Sequence, residues 1–401
     1  MRLTWFVNFA ILVAFIKVFE IPSMIPLFVD ELGIDYAQAG TFMSAYALIR
    51  CIASFPAGSI TDRWGAIPVI GVCLAIITIF GLLGTVSSSY ELLITARIIV
   101  SIGITVIFIA AIDAMPKYMP AEQSGRGIGY INVSLNVGIA LSMFMTPVMA
   151  DMLGWRWTAR VYSLSFLLLL VLAIPLLRNP PPASNSQADN ENDEASMGFL
   201  DLLTNLPVML LAIATLVVFV ELYGVLTWVP IFLSEVYSYT PAQVGTGATM
   251  FGIAAIPASL VTGYLCNSLR RITWLCVAGG LLAGSGILVL SMSGHMPLWL
   301  TVVTIIFITW GHTQVIVSIM SLSALVAPPQ SSGRALGLIF AFGYGGAIVP
   351  TFLGGYLLER TGGYQVSFGV FSTSAFVSII AMLAVCRILR NNPPAHFVLG
   401  K

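Results

Sequence analysis

The chain has 401 residues, of which 58% are apolar and only 8% charged. A soluble domain carries about a quarter charged residues, so this composition excludes a freely dissolved protein and makes lipid the bulk solvent. Seventeen Lys and Arg balance 17 Asp and Glu, and no nucleic-acid partner is expected.

A helix needs about 20 apolar residues to cross a bilayer, and twelve such runs follow one another. The first six are predicted over Leu3–Phe28, Ala39–Ile60, Pro68–Val86, Leu92–Met115, Ile128–Ala150 and Val161–Leu177. The last six are predicted over Pro207–Leu233, Val244–Cys266, Ile272–Ser293, Leu298–Leu322, Leu336–Leu358 and Val366–Val385. The fold class is therefore an all-α membrane protein.

The first run is too long for the apolar core of a signal peptide, and no small-residue cleavage site follows it. It carries Lys17 and Glu20, three residues apart and so on one helical face. Arg50 sits at the middle of the second span. Between the second and third spans lies Gly58-Ser-Ile-Thr-Asp62-Arg63-Trp-Gly65. The fourth span holds Arg97 inside one end and Asp113 near the other. After the sixth span, Asn179–Met197 runs through three prolines into Ser, Asn, Gln, Asp and Glu. Such a stretch buries too little to fold, and is predicted to be a flexible cytoplasmic tether between residues 1–178 and 198–401. The seventh span carries Glu221 and Tyr223, and the tenth Trp310, His312 and Gln314.

An ionisable side chain at the bilayer centre costs about 2.5–3.5 kcal/mol on insertion scales, so each needs a partner or a watery cavity. The third, sixth, ninth and twelfth spans have no charge in their interiors. Cys51, Cys73, Cys266, Cys276 and Cys386 fall in or at the ends of spans, without the spacing of a disulfide framework or a metal site. No metal and no cofactor is expected. With both termini inside, eleven basic residues, from Arg2 and Arg63 to Arg390 and Lys401, face the cytoplasm against Arg156, Arg160 and Arg360 outside. This positive-inside bias predicts a multi-pass inner-membrane protein with cytoplasmic termini.

The two halves repeat. Ile25-Pro26-Leu27-Phe28 matches Val229-Pro230-Ile231-Phe232 at an offset of 204, and Asp62 meets Asn267 at 205. Ser124-Gly125-Arg126 meets Ser332-Gly333-Arg334 at 208. Parallel six-helix repeats with a site at their interface are a standard plan of secondary transporters.

The loop motif from Gly58 to Gly65 resembles the G-x-L-x-D-R-x-G-R signature of the major facilitator superfamily, with Ala66 in place of the last arginine. Gly263 to Arg271 is its degenerate second copy. Arg97 to Gly103 resembles the family's helix-four motif R-x-x-x-G-x-G, with Ser101 replacing the first glycine. The resemblance covers the whole chain and implies twelve helices in two pseudo-symmetric bundles. It also implies a cavity lined by spans one, four, seven and ten, and gating or motif roles for Gly58, Asp62, Arg63, Gly65, Arg97 and Asp113, with the cytoplasmic latch resting on Asp62, Arg63 and Asp113.

On that expectation Lys17, Arg50, Tyr223, Trp310, His312 and Gln314 are candidate contacts for a small solute. Tyr223, Trp310 and Gln314 enter because they share turns with Glu221 or His312. Glu20, Glu221 and His312 are candidate proton carriers, histidine being the side chain whose charge changes near physiological pH. Structural readings stand beside these: Lys17 and Glu20 neutralising each other, Arg50 serving packing or gating, Arg97 and Asp113 bracing helices, and His312 as a satisfied core histidine.

No G-x-x-x-x-G-K-[ST] loop is present, so a gradient is expected to supply the energy, with protons as the coupling ion and alternating access as the motion. The cations Lys17 and Arg50 suggest a small organic or inorganic anion. Two rivals are a proton-coupled drug or metabolite exporter, favoured if Lys17 pairs internally, and a membrane sensor that binds solute without moving it. His295, His312 and His396 lie in separate regions and form no triad with a nucleophile, so no enzyme is expected. The protein is expected to be a monomer.

Overall fold

The computed structural model describes residues 2–32, 36–87, 89–119, 121–178, 197–292, 294, 296–323, 325–328, 330–361 and 363–391. The tether predicted over 179–197 lies outside the described residues apart from Met197. The described chain is helical, with no strand among the described residues. The helices of the first half are α1 (Arg2–Leu32), α2 (Tyr36–Trp64), α3 (Ala66–Thr85), α4 (Tyr90–Tyr118), α5 (Ala121–Leu153) and α6 (Trp155–Arg178). A short α7 (Phe199–Thr204) precedes α8 (Leu206–Glu235), α9 (Pro241–Leu265), α10 (Leu269–Met292), α11 (Leu298–Ser323), α12 (Ser332–Thr361) and α13 (Tyr364–Asn391).

One long helix stands on each expected span, and ten of them are long and apolar enough to cross a membrane among the described residues. In hydrocarbon every backbone N–H and C=O must be paired within the segment, which an α-helix achieves. The breaks between helices use local chemistry. Ser89 accepts the Leu92 N–H at the start of α4, Asn205 accepts that of Val208 at the start of α8, and Thr240 and Gln243 form a capping box ahead of α9. Gly65, between α2 and α3, has φ +80°; a side chain there would be strained.

The packing repeats as the sequence does. In the first half α1 packs on α5 and α6, α3 on α4 and α6, and α2 on α4. In the second half α8 packs on α12 and α13, α10 on α11 and α13, and α9 on α11. Every pair in one set has its counterpart in the other. Two crossings, α2 on α12 and α5 on α9, join the halves and are themselves counterparts.

Both crossings are glycine-lined near the end that carries the loop motif, here termed the motif end. A Cβ on Gly58 would overlap the Gly333 carbonyl, and one on Gly337 would overlap the Ser54 carbonyl. At the other crossing a Cβ on Gly263 would come within 2.7 Å of the Gly129 Cα. Small residues let backbones approach this closely and gain dispersion contacts that lipid cannot replace.

Candidate solute-binding site

Eight helices enclose a central cavity of about 510 Å³. α1, α2, α4 and α5 form one wall and α8, α9, α11 and α12 the other; among the described residues α3, α6, α10 and α13 contribute nothing to it. Helical periodicity selects the lining. On α11, Ile308, Thr309, His312, Thr313, Ile316 and Met320 form one stripe, its members recurring at intervals of three and four residues with two adjacent pairs.

The first wall presents a cation. Arg50, 2% exposed, donates from Nη1 to the Tyr46 hydroxyl at 3.0 Å and from Nη2 to the Tyr344 hydroxyl of α12. Its guanidinium carbon lies 4.2 Å from the Tyr344 ring centre, 5.2 Å from that of Tyr46 and 5.6 Å from that of Phe15, a cation–π arrangement. Arg50 Nε is buried without a partner. Among the described residues no carboxylate pairs with Arg50. A guanidinium keeps its charge in proteins, so among the described residues this cation has no counter-ion.

The second wall presents a titratable pair. His312 of α11 and Glu221 of α8, 8% and 3% exposed, meet at 3.0 Å between Nδ1 and Oε2. Glu221 Oε1 and the nearby Thr309 Oγ1 are buried with no partner. Between the two poles the lining is aromatic, including Phe19, Phe108, Phe219, Tyr223 and Phe340.

Lys17 and Glu20 do not line this cavity. Phe15, Val18 and Phe19 do, and Lys17 stands two residues from Phe15 and from Phe19, which places it about 200° around the helix. Its ammonium lies 2.7 Å from Glu20 Oε1 and donates to the Ala159 carbonyl of α6 at 3.3 Å. Arg97 of α4 braces the same region, donating to the carbonyls of Lys17 and Val18 at 2.8 Å each and lying 3.7 Å from Glu20. Pro22 has no N–H to offer the Val18 carbonyl one turn below it, and Arg97 supplies that donor.

Trp310 and Gln314 also leave the cavity, each two residues from His312 and so on the opposite face of α11; Gln314 lies against Gly279 of α10. Tyr223 stays in the lining. The cavity takes in Asn132, Asn136, Thr309 and Thr313 as well. Asn132 Nδ2 donates across the halves to Met320 Sδ at 2.8 Å. The helical phase set by His312 marks Thr309 and Thr313 in the sequence; nothing in the sequence marks which amide on α5 would reach α11.

A profile of the Major Facilitator Superfamily matches residues 7–351 and, in a second alignment, residues 239–401. The chain belongs to the major facilitator superfamily. It is a transporter and not an enzyme. Among curated relatives, the gentisate transporter of Corynebacterium glutamicum is 24% identical, over 92% of this chain and 83% of that protein. The probable sulfoacetate transporter SauU of Cupriavidus necator is 23% identical over 95% and 93%. Among solved structures, the human organic anion transporter MFSD10 superposes with a TM-score of 0.75 at 13% identity, over 95% of this chain and 99% of that one.

The superfamily's loop motif lies at the α2–α12 crossing. Asp62 accepts the backbone N–H groups of Gly333 and Arg334 at 2.8 Å each, so its carboxylate sits on the first turn of α12, where the helix dipole favours negative charge. Asp113 of α4 accepts the Ser332 hydroxyl at 2.5 Å and pairs with Lys117 at 2.7 Å. Arg334 in turn donates to the Met197 carbonyl at 3.0 Å. Burial pushes the Asp62 carboxyl up to about 6, against the pull of the Arg334 backbone N–H and with a further push from Asp113. Arg63 is exposed, and the clamp rests on Asp62 and Asp113. At the counterpart crossing Asn267, which replaces Asp62 in the repeat, accepts from Arg271 within its own half at 3.1 Å.

Proposed function

We propose that this transporter moves a small organic anion by alternating access of residues 1–178 against 198–401, with protons as the coupling ion. It works as a monomer in the inner membrane, with the motif end and both termini cytoplasmic. The observation that carries the reading is Arg50, a buried guanidinium in the cavity wall with no carboxylate partner among the described residues. An anion supplies the missing counter-ion, and the aromatic walls suit an organic body. The solutes of the two relatives named above, gentisate and sulfoacetate, are both anions.

The exporter of lipophilic cations is disfavoured by the lining. Lys17 does pair internally, yet Arg50 and Arg97 reach the cavity against one carboxylate, Glu221, itself held by His312. A cation would meet like charge. Purified protein in proteoliposomes, loaded with a panel of anions, cations and neutral metabolites, should show counterflow with organic anions and lose it in Arg50→Ala. Counterflow of cations alone, or counterflow of anions undiminished by Arg50→Ala, would defeat the reading.

A further inference from the structure

We propose that Glu221 and His312 hold the coupling proton, and that protonation turns this pair from a repelling wall into the donor that seats the far end of the anion held by Arg50. The proposal rests on the anion reading above and names its coupling site.

The chemistry follows from the 3.0 Å contact between His312 Nδ1 and Glu221 Oε2. An ionised carboxylate only accepts, so with Glu221 charged the Nδ1–H is the donor and Nε2 is left with a lone pair. The pair then carries one negative charge on the wall opposite Arg50, and an incoming anion meets one attractive and one repulsive pole. A proton taken up on the Nε2 lone pair gives an imidazolium, whose Nδ1–H still donates to Glu221 and whose new Nε2–H is free to donate to the solute. The pair becomes neutral, and no bond other than N–H forms or breaks. Anion and proton are then bound together or not at all, one of each.

Two orphaned groups point to a ligand at this pole. Glu221 Oε1 and Thr309 Oγ1 are buried without partners, and Thr309, His312 and Glu221 all line the cavity. Among the described residues of the lining no other carboxylate or imidazole stands beside the pair. There α8 adds Tyr223, while its Glu235 lies at the helix end, bonded to Tyr364 of α13; α12 offers Tyr344 already bonded to Arg50, and α5 presents Asn132 and Asn136. The titratable residues of α9 and α10, Tyr264, Arg270, Arg271 and Cys276, lie toward their motif ends. Across the cavity stand Tyr46, Arg50 and Arg97. Glu20 of α1 is committed to Lys17 and Arg97 outside the lining, and Asp113 of α4 to Ser332 and Lys117 at the motif end.

The test uses proteoliposomes and radiolabelled gentisate and sulfoacetate. Two readouts are compared: exchange at equal concentration and pH, which needs no net proton movement, and accumulation driven by an imposed pH gradient. In Glu221→Gln the unprotonated wall no longer carries a negative charge and the anion can bind without a proton, so the ratio of gradient-driven accumulation to exchange should fall about tenfold or more, the size of a typical coupling free energy. His312→Gln should lose accumulation as well. The double variant Lys17→Met with Glu20→Gln should keep both. Accumulation that survives in Glu221→Gln and His312→Gln overturns the proposal, as does its selective loss in the Lys17/Glu20 variant. If His312→Gln loses exchange too, the Glu221→Gln result decides. Wild-type vesicles that exchange no anion of the panel instead overturn the anion reading beneath it.

Discussion

Arg50 uses two nitrogens on two tyrosines and holds a third, Nε, in reserve. A lysine cannot reproduce that fork. Arg50→Lys should therefore weaken anion binding about 10- to 100-fold, the worth of a charge-assisted hydrogen bond of roughly 1.5–3 kcal/mol, as read by titration in detergent. Arg97 has the opposite character. Its partners are two α1 carbonyls and Glu20, so Arg97→Ala should lower thermal stability, by about 3 kcal/mol as for other broken buried pairs, and a melting curve in detergent checks it. Charge and depth, legible in the sequence, brought Arg50, Glu221 and His312 to notice. Sharing a turn proved an uneven guide: Tyr223 lines the cavity with Glu221, whereas on the narrower lining stripe of α11 Trp310 and Gln314 turn away from His312, and Lys17 is left out because the face chosen by α1 is the one carrying Phe15, Val18 and Phe19.

At the scale of helices, the α2–α12 crossing depends on missing side chains. Gly58→Leu would push α12 away, since the space its Cβ needs is filled by the Gly333 carbonyl. Cys51 reports on this crossing, because its thiol donates to the Ala341 carbonyl of α12 at 3.3 Å. Maleimide labelling of Cys51 should be faster in Gly58→Leu than in the wild type, with Cys51→Ser as the blank for the other four free cysteines, all buried. The helices themselves were legible as hydrophobic runs, one for each span. α7 was not, because six residues beside a polar stretch give no period to read. The ends of α2, α4 and α5 also reach past the apolar runs, to Trp64 and Tyr118 and from Ala121.

For the whole molecule, the repeat was visible as matched segments and reappears as matched helix pairs. What the repeat could not reveal is where its copies diverge in use: Lys17 and Glu221 correspond at offset 204, yet one braces a bundle and the other lines the cavity. The clamp at the motif end makes the global equilibrium depend on pH. With the Asp62 carboxyl up at about 6 when buried and near its ordinary value of about 3.9 when solvated, the closed form binds the proton more tightly. Closure therefore strengthens as pH falls from about 6 to 4 and is unaffected by pH above that window. Cys51 labelling should slow on acidification in the wild type relative to Asp62→Asn, which has no carboxyl to titrate.

The contact between Asn132 and Met320 has a kinetic meaning. It spans the two halves, so under the proposed alternating access each turnover breaks it and each return remakes it. A thioether is a weak acceptor, and the joint adds little to the barrier for parting. Met320→Gln would offer an amide oxygen instead, and a net gain of about 1 kcal/mol in the joined form corresponds to a turnover about fivefold slower, with solute affinity little changed. On that reading the sulfur at this position is a loose fastening between the halves, one that holds them together without locking them.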